Sequence, residues 1–150
     1  MKRFCFIMLA LLMGLSSISA QKRKEVKSDL VGIWQQVGKM GHKDGKITIA
    51  YNPVLKIIDK DGTFSTMFVF SQQSAGSITQ RGTYEIQNDS LYTETIREHF
   101  IRDVEGSSVP IKYHFSDDEK EVLMLEFEDS RTKAVMHELW IRISDKRIRK

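Results

Sequence analysis

Asp29-Leu30-Val31-Gly32-Ile33-Trp34 decides how the rest of this chain is read. It follows a charged run and precedes a series of short segments in which apolar residues fall at every second position. Successive side chains of a strand point to opposite faces, so that alternation is the pattern of half-buried strands. A glycine followed two residues later by a tryptophan has a physical use at the head of such a series. A barrel has two ends and one must be closed. A large flat indole at the start of the first strand can cover the narrow end and bury much apolar area. Gly32 lets the entering chain pass close beneath it.

Downstream, the alternation predicts about eight strands joined mostly by short loops. Gly32 to Lys39 is the first, with Ile33, Gln35 and Val37 on one face and Trp34 and Gln36 on the other. Gly38 to Gly45 reads as a loop. Ile47 to Tyr51 reads as loop or edge strand, because Asn52-Pro53 ends it and proline cannot donate to a ladder. Val54 to Asp59 and Thr63 to Phe70 form a hairpin on Lys60-Asp61-Gly62, where Asp-Gly supplies the positive φ of a tight turn. Phe64, Phe68 and Phe70 share one face. Ser71 to Ser77 is a loop. Thr79 to Gln87 places Gly82, Tyr84 and Ile86 together, and Asn88-Asp89 turns the chain. After Ser90 to Phe100 and a loop on Gly106, the strands Val109–Ser116, Glu121–Glu128 and Ala134–Ile143 follow. A chain of this kind stacks two sheets or closes into a barrel to remove its edges. The expectation is an all-β fold, an antiparallel up-and-down barrel.

Upstream, Met1-Lys2-Arg3 is a short positive head, Phe4 to Leu15 an apolar run, and Ser16 to Ala20 a small-residue tail. That order is a secretory signal peptide. It predicts cleavage after about Ala20, a secreted and in particular periplasmic protein, and no integral membrane span afterwards, since the apolar run is short for a permanent span. The domain boundaries expected are 1–20 signal peptide, 21–28 flexible segment, 29–145 barrel and 146–150 basic tail. Cys5 lies in the leader and is the chain's one cysteine. The mature chain therefore has no disulfide, no thiolate ligand and no cysteine nucleophile. The full 150-residue sequence carries a net charge of +3, which falls to +1 when Lys2 and Arg3 leave with the leader. Positive charge gathers at the two ends, which read as solvated tails. Nucleic acid is not an expected partner, and the sequence leaves the oligomeric state undetermined.

Candidate chemistry is thin. His42, His99, His114 and His137 stand at no ligand spacing, so no metal or cofactor is expected. Glu94, Glu98, Glu126 and Glu128 could supply carboxylate pairs. Glu126 and Glu128, however, fall opposite Leu125 and Phe127, on the wet face. No serine has a nucleophile-elbow context. The expectation is a protein that is not an enzyme.

Leu30-Val31-Gly32-Ile33-Trp34, Asp61-Gly62-Thr63-Phe64, Gly82-x-Tyr84-x-Ile86 and Trp140-x-Arg142 occur in an order and spacing that resembles the lipocalin-like (calycin) barrels. More narrowly, the chain resembles small secreted lipocalin-like domains of unknown function from Bacteroidota. It lacks the Thr-Asp-Tyr of transporter-type lipocalins, and the likeness is to the looser set. The resemblance implies that an arginine of the last strand packs on the plug tryptophan. Arg142 is that candidate; Trp140 shares its strand face. Gly32, Trp34, Trp140 and Arg142 are then structural.

Eight strands leave an interior that side chains fill or that holds one small ligand. Two registers are open for Ser90–Phe100. One turns Thr93, Thr95, Arg97 and His99 inward. The other turns Tyr92, Ile96 and Phe100 inward, and the more apolar set favours it. The expected lining is then Phe64, Phe68, Phe70, Tyr84, Tyr92, Ile96, Tyr113, Phe115, Leu125 and Phe127, with Ile86, Phe100 and Leu123 beside them. The function expected is binding of a small apolar or amphipathic ligand in the cup. The alternative is a ligand-free interaction module that uses loops 38–52 and 71–78 to meet a protein or surface partner.

Overall fold

A computed structural model describes residues 26–43, 45–70, 75–116 and 118–144. Residues 1–25, where the signal peptide is expected, and residues 145–150, with the basic tail, lie outside them. The alternating segments form β1 (Gly32–Lys43), β2 (Lys46–Ile58), β3 (Thr63–Phe70), β4 (Ala75–Asn88), β5 (Leu91–His99), β6 (Ser108–Phe115), β7 (Val122–Glu128) and β8 (Val135–Arg142). They pair antiparallel in sequence order, and β1 closes on β8 through Trp34↔Arg142 to Val37↔Leu139. The result is the expected all-β, up-and-down barrel of eight strands.

The stretch read as a loop after Lys39 is strand, and the one read as loop or edge strand before Asn52-Pro53 is strand that does not end there. β1 runs on to Lys43, and β2 passes straight through Asn52-Pro53. Proline is tolerated there because the ladder is broken at that point. Pairing with β1 jumps from Gln35↔Leu55 to Val37↔Tyr51, and pairing with β3 begins only at Val54. The missing N–H of Pro53 therefore falls in a bulge. Beyond Val37, β1 pairs with β2 alone, so this hairpin stands above the barrel rim. β4 likewise begins at Ala75, inside the segment read as loop.

One end of the barrel is packed shut. Trp34 is fully buried, and its Nε1 donates to Leu30 O at 2.9 Å. The Arg142 guanidinium lies over its ring, 4.1 Å from the centroid. Arg142 donates to the carbonyls of Val31 (2.8 Å), Lys120 (3.2 Å) and Asp29. This one side chain ties the entering segment, the β6–β7 turn and β8 together. Gly32 is needed beneath it, since a Cβ there would stand 2.4 Å from Arg142 Nη1. Val26 adds to the seal: its N–H donates to Lys60 O at 2.6 Å and its side chain packs on the core. Above Trp34 lie Ile58, Phe64, Tyr84, Tyr92, Tyr113, Leu123 and Leu125, all buried. The Tyr92 ring meets Tyr84 and Tyr113 edge-on at 6.4 and 5.7 Å. Gly82 makes room for this layer, because a Cβ there would collide with Thr95 O at 2.0 Å and touch the Phe64 ring.

Candidate functional site

The packed layer fills only half of the barrel. Toward the other end polar side chains, among them Gln36, Lys56, Gln80, Glu94 and Glu138, join the apolar ones at the inward positions, and a cavity of about 210 Å³ opens there. Its upper walls are Val54, Ile96, Val109, Ile111 and Phe127. The short 3-10 turn Arg102–Val104 brings Ile101 and the buried Val104 over one side of the mouth. The β7–β8 turn brings Glu128 to Arg131 over another. That turn is set by Asp129, whose Oδ1 accepts from the N–H groups of Arg131 and Thr132. Those bonds also hold its carboxyl below the usual range. Larger hollows, of about 500 and 400 Å³, are grooves between strands on the outer wall.

The floor of the cup is charged. Lys56, Glu94 and Glu138 occupy inward positions, each in phase with apolar neighbours: Val54 and Ile58, Tyr92 and Ile96, and Trp140. Lys56 Nζ meets Glu94 Oε1 at 2.6 Å, with both side chains almost wholly out of solvent. Glu94 also accepts from Tyr92 O–H at 3.1 Å and Gln80 Nε2 at 3.5 Å. Burial and the Glu94 charge push the Tyr92 phenol well above its ordinary pKa, so it keeps the proton it donates. Lys56 also faces the rings of Phe64 and Trp140, at 5.3 and 5.9 Å.

Glu138 is held differently. Its Oε1 accepts from Gln36 Nε2 at 3.2 Å and its Oε2 from Trp140 Nε1 at 3.0 Å. Gln36 is in turn fixed by Asn52 Nδ2 at 2.8 Å. Both donors to Glu138 are neutral. Among the described residues no buried side-chain nitrogen or oxygen lacks a partner, so the network is complete. It is also expensive to disturb.

Burial raises the Glu138 pKa; Lys56 and the Trp140 N–H pull it back down, and Glu94 pushes it up again. A carboxyl with a higher pKa in the fold than in the unfolded chain binds its proton more tightly when folded. Its stabilising contribution is complete below the ordinary carboxylate value and is lost as pH rises through the raised one. The unfolding free energy of the parent chain minus that of Glu138→Gln is therefore expected to fall from acid to neutral pH. Urea titrations across that range measure it, and a flat difference would contradict it.

Of the residues expected to line the cavity, Ile96 and Phe127 are on its wall. Phe64, Tyr84, Tyr92, Tyr113 and Leu125 form the packed layer beneath it, with Leu123, while Ile86 and Phe115 are partly buried against that layer. Phe68 and Phe70 meet at 5.3 Å with tilted rings on the face of β3 that carries Phe64, but lie above the cup and are exposed. Phe100, expected inside, is 70% exposed: β5 ends at His99, and Phe100 turns out against the His99 ring at 4.7 Å. Arg97 is exposed and His99 half-buried at the rim. Glu126 pairs with Lys112 outside the barrel. Trp140 stands inside, on the wall of the cup, and Arg142 alone of the two covers Trp34. The reading of the sequence placed Gln36 on the Trp34 face but gave no part in the cup to Lys56, Gln36, Gln80 or Glu138. It named Glu94 only as one of four carboxylates that could supply a pair. Among the described residues no three His, Cys, Asp or Glu side chains are grouped to hold a metal ion, and no helix is long and apolar enough to cross a membrane.

A family model described as Domain of unknown function (DUF4488) matches residues 29–149. No curated protein matches the chain.

Proposed function

The chain belongs to the DUF4488 family, and on that premise we propose that it is a secreted, periplasmic binding protein. Its barrel takes one small amphipathic molecule into the cup and does no chemistry on it. The observation that supports this most is the cavity of about 210 Å³ at the end opposite Trp34, with apolar walls over a polar floor. A pocket lined by apolar groups with a few fixed polar ones is the ordinary form of a small-molecule site. The volume is below the roughly 300–1,000 Å³ of sites that bury drug-sized ligands, so the occupant is of small-metabolite size. A plugged end under Trp34 and Arg142, with a cup opposite, is also the plan of the lipocalin-like barrels. Kinship with the secreted lipocalin-like domains of Bacteroidota is part of the proposal.

A ligand that binds only the folded chain stabilises it by mass action, by about 2.7 kcal/mol at a hundredfold excess over Kd. A small-molecule extract of the source cells is expected to raise the thermal midpoint of the chain. Fractionating that extract should concentrate the effect in one component. If no fraction moves the midpoint, the cup reading fails.

The rim supports a second reading. Met40, Ile49, Tyr51, Phe68, Phe70, Ile78 and Phe100 are large, apolar and exposed near the open end. Clustered exposed apolar groups mark interaction surfaces. In this reading the β1–β2 and β3–β4 hairpins dock on a protein partner, and Phe70→Ser weakens capture of that partner without altering the cup.

A further inference from the structure

We infer that the molecule held in the cup carries a protonated amine, which Glu138 recognises, on a short apolar body seated against Val109 and Phe127. The inference rests on the cup reading and names the ligand class for that site.

Charge on the cavity wall is unbalanced. Four carboxylates line it, Glu94, Glu128, Asp129 and Glu138, against Lys56 and Arg131 on the lining and Lys133, which pairs with Glu128 at 3.3 Å from outside it. At the floor the imbalance is sharper. The Lys56 ammonium is taken by Glu94 at 2.6 Å, and Glu94 has two further donors. Glu138 has no cation within ion-pair distance; its two donors are the neutral amides and indole of Gln36 and Trp140. An ionised carboxylate accepts about four hydrogen bonds. Glu138 uses one per oxygen, so each oxygen retains an acceptor position. Glu138 is half-buried, and the Lys56 charge that acts on it is already paired with Glu94, so a cation brought by a ligand offsets the cost of holding this carboxylate away from water. An ammonium is the smallest cation that also donates to both oxygens. The Trp140 indole beside Glu138 is a further favourable neighbour for a cation, since the face of a tryptophan ring attracts one. An anionic head would meet the reverse: Lys56 already paired, and two carboxylates facing it across a small space.

Hexylammonium, hexanol and hexanoate share one apolar body and differ only in the head. Each is titrated into the full chain at neutral pH, and the indole N–H proton signals of Trp140 and Trp34 are followed. Trp140 is on the cup wall and Trp34 at the closed end, so Trp34 reports on the fold. Hexylammonium is expected to shift Trp140 saturably and leave Trp34 in place. It should bind about tenfold or more tighter than hexanol, with hexanoate weakest; about tenfold corresponds to a single well-made ionic contact. In Glu138→Gln the preference for the amine over the alcohol is expected to vanish while the Trp34 signal stays. Equal binding of all three heads to the parent chain overturns the inference and leaves the cup reading standing. Failure of all three to move Trp140 overturns both. The three-ligand comparison on the parent chain decides the ligand class whether or not the variant folds.

Discussion

Lys56→Met is expected to destabilise the barrel by about 3–5 kcal/mol, the range for removing one partner of a buried ion pair. The loss comes less from the missing attraction than from what remains. Glu94 would be left almost fully buried, still accepting from Tyr92 and Gln80 but facing no cation. Replacing both residues, in Lys56→Met with Glu94→Gln, removes the stranded charge and keeps an acceptor for the Tyr92 hydroxyl. The double variant should therefore recover most of the loss. Urea midpoints of the four proteins of the cycle, at unchanged m, measure this. Additive single losses, with no recovery in the double variant, would show that the two charges do not depend on each other. The pair would then be irrelevant to how the floor of the cup is held.

Trp34→Ala is expected to cost a similar amount, about 3–5 kcal/mol, the usual loss for truncating a large aromatic in a core. Its indole is fully buried, tilted against Phe115 at 6.1 Å and covered by Arg142. Losing it opens a void at the closed end and takes away the surface on which Arg142 lies. Leu30 O would also lose its donor. Domains have roughly 5–15 kcal/mol in all, so this variant should stand near the edge of folding. Circular dichroism and urea unfolding measure it. A loss near that of an exposed residue would mean that Arg142 and Val26 seal the end without the indole. The cup is a barrel length away, so any ligand effect should follow from lost stability alone.

The barrel was legible because its signal is repetitive. Period-two alternation and turns such as Asp61-Gly62 recur along the whole chain, and each repeat supports the same architecture. Gly62 does adopt φ +83, and the plug was legible from Gly32, Trp34 and Arg142 taken together. Pro53 misled because a proline normally ends a strand, and nothing local shows that a bulge will fall where its N–H is missing. The cup was harder to read, for a different reason. An aromatic at an inward position is equally consistent with lining a cavity and with filling one. How far up the barrel the filling reaches depends on packing, and Phe64, Tyr84 and Tyr113 are in the filled half. The polar floor did leave a mark: Lys56, Glu94 and Glu138 are charges in phase with apolar neighbours on their strands. Such a charge looks like an interruption of the pattern until its partner on another strand is known. Lys56 and Glu94 are separated by two intervening strands in sequence, and their pairing becomes visible only when the barrel closes around them.

Whether the cup is a binding site is tested most directly by native mass spectrometry of the chain recovered from its own cells. Two variants are run beside it. Val109→Trp fills the cavity from its wall, and Met124→Trp places the same bulk on the outer face of β7, where Met124 is exposed. The expected result is one small molecule per chain on the parent protein and on Met124→Trp, and none on Val109→Trp. A bare mass for the parent chain, or an adduct that survives unchanged in Val109→Trp, would contradict it.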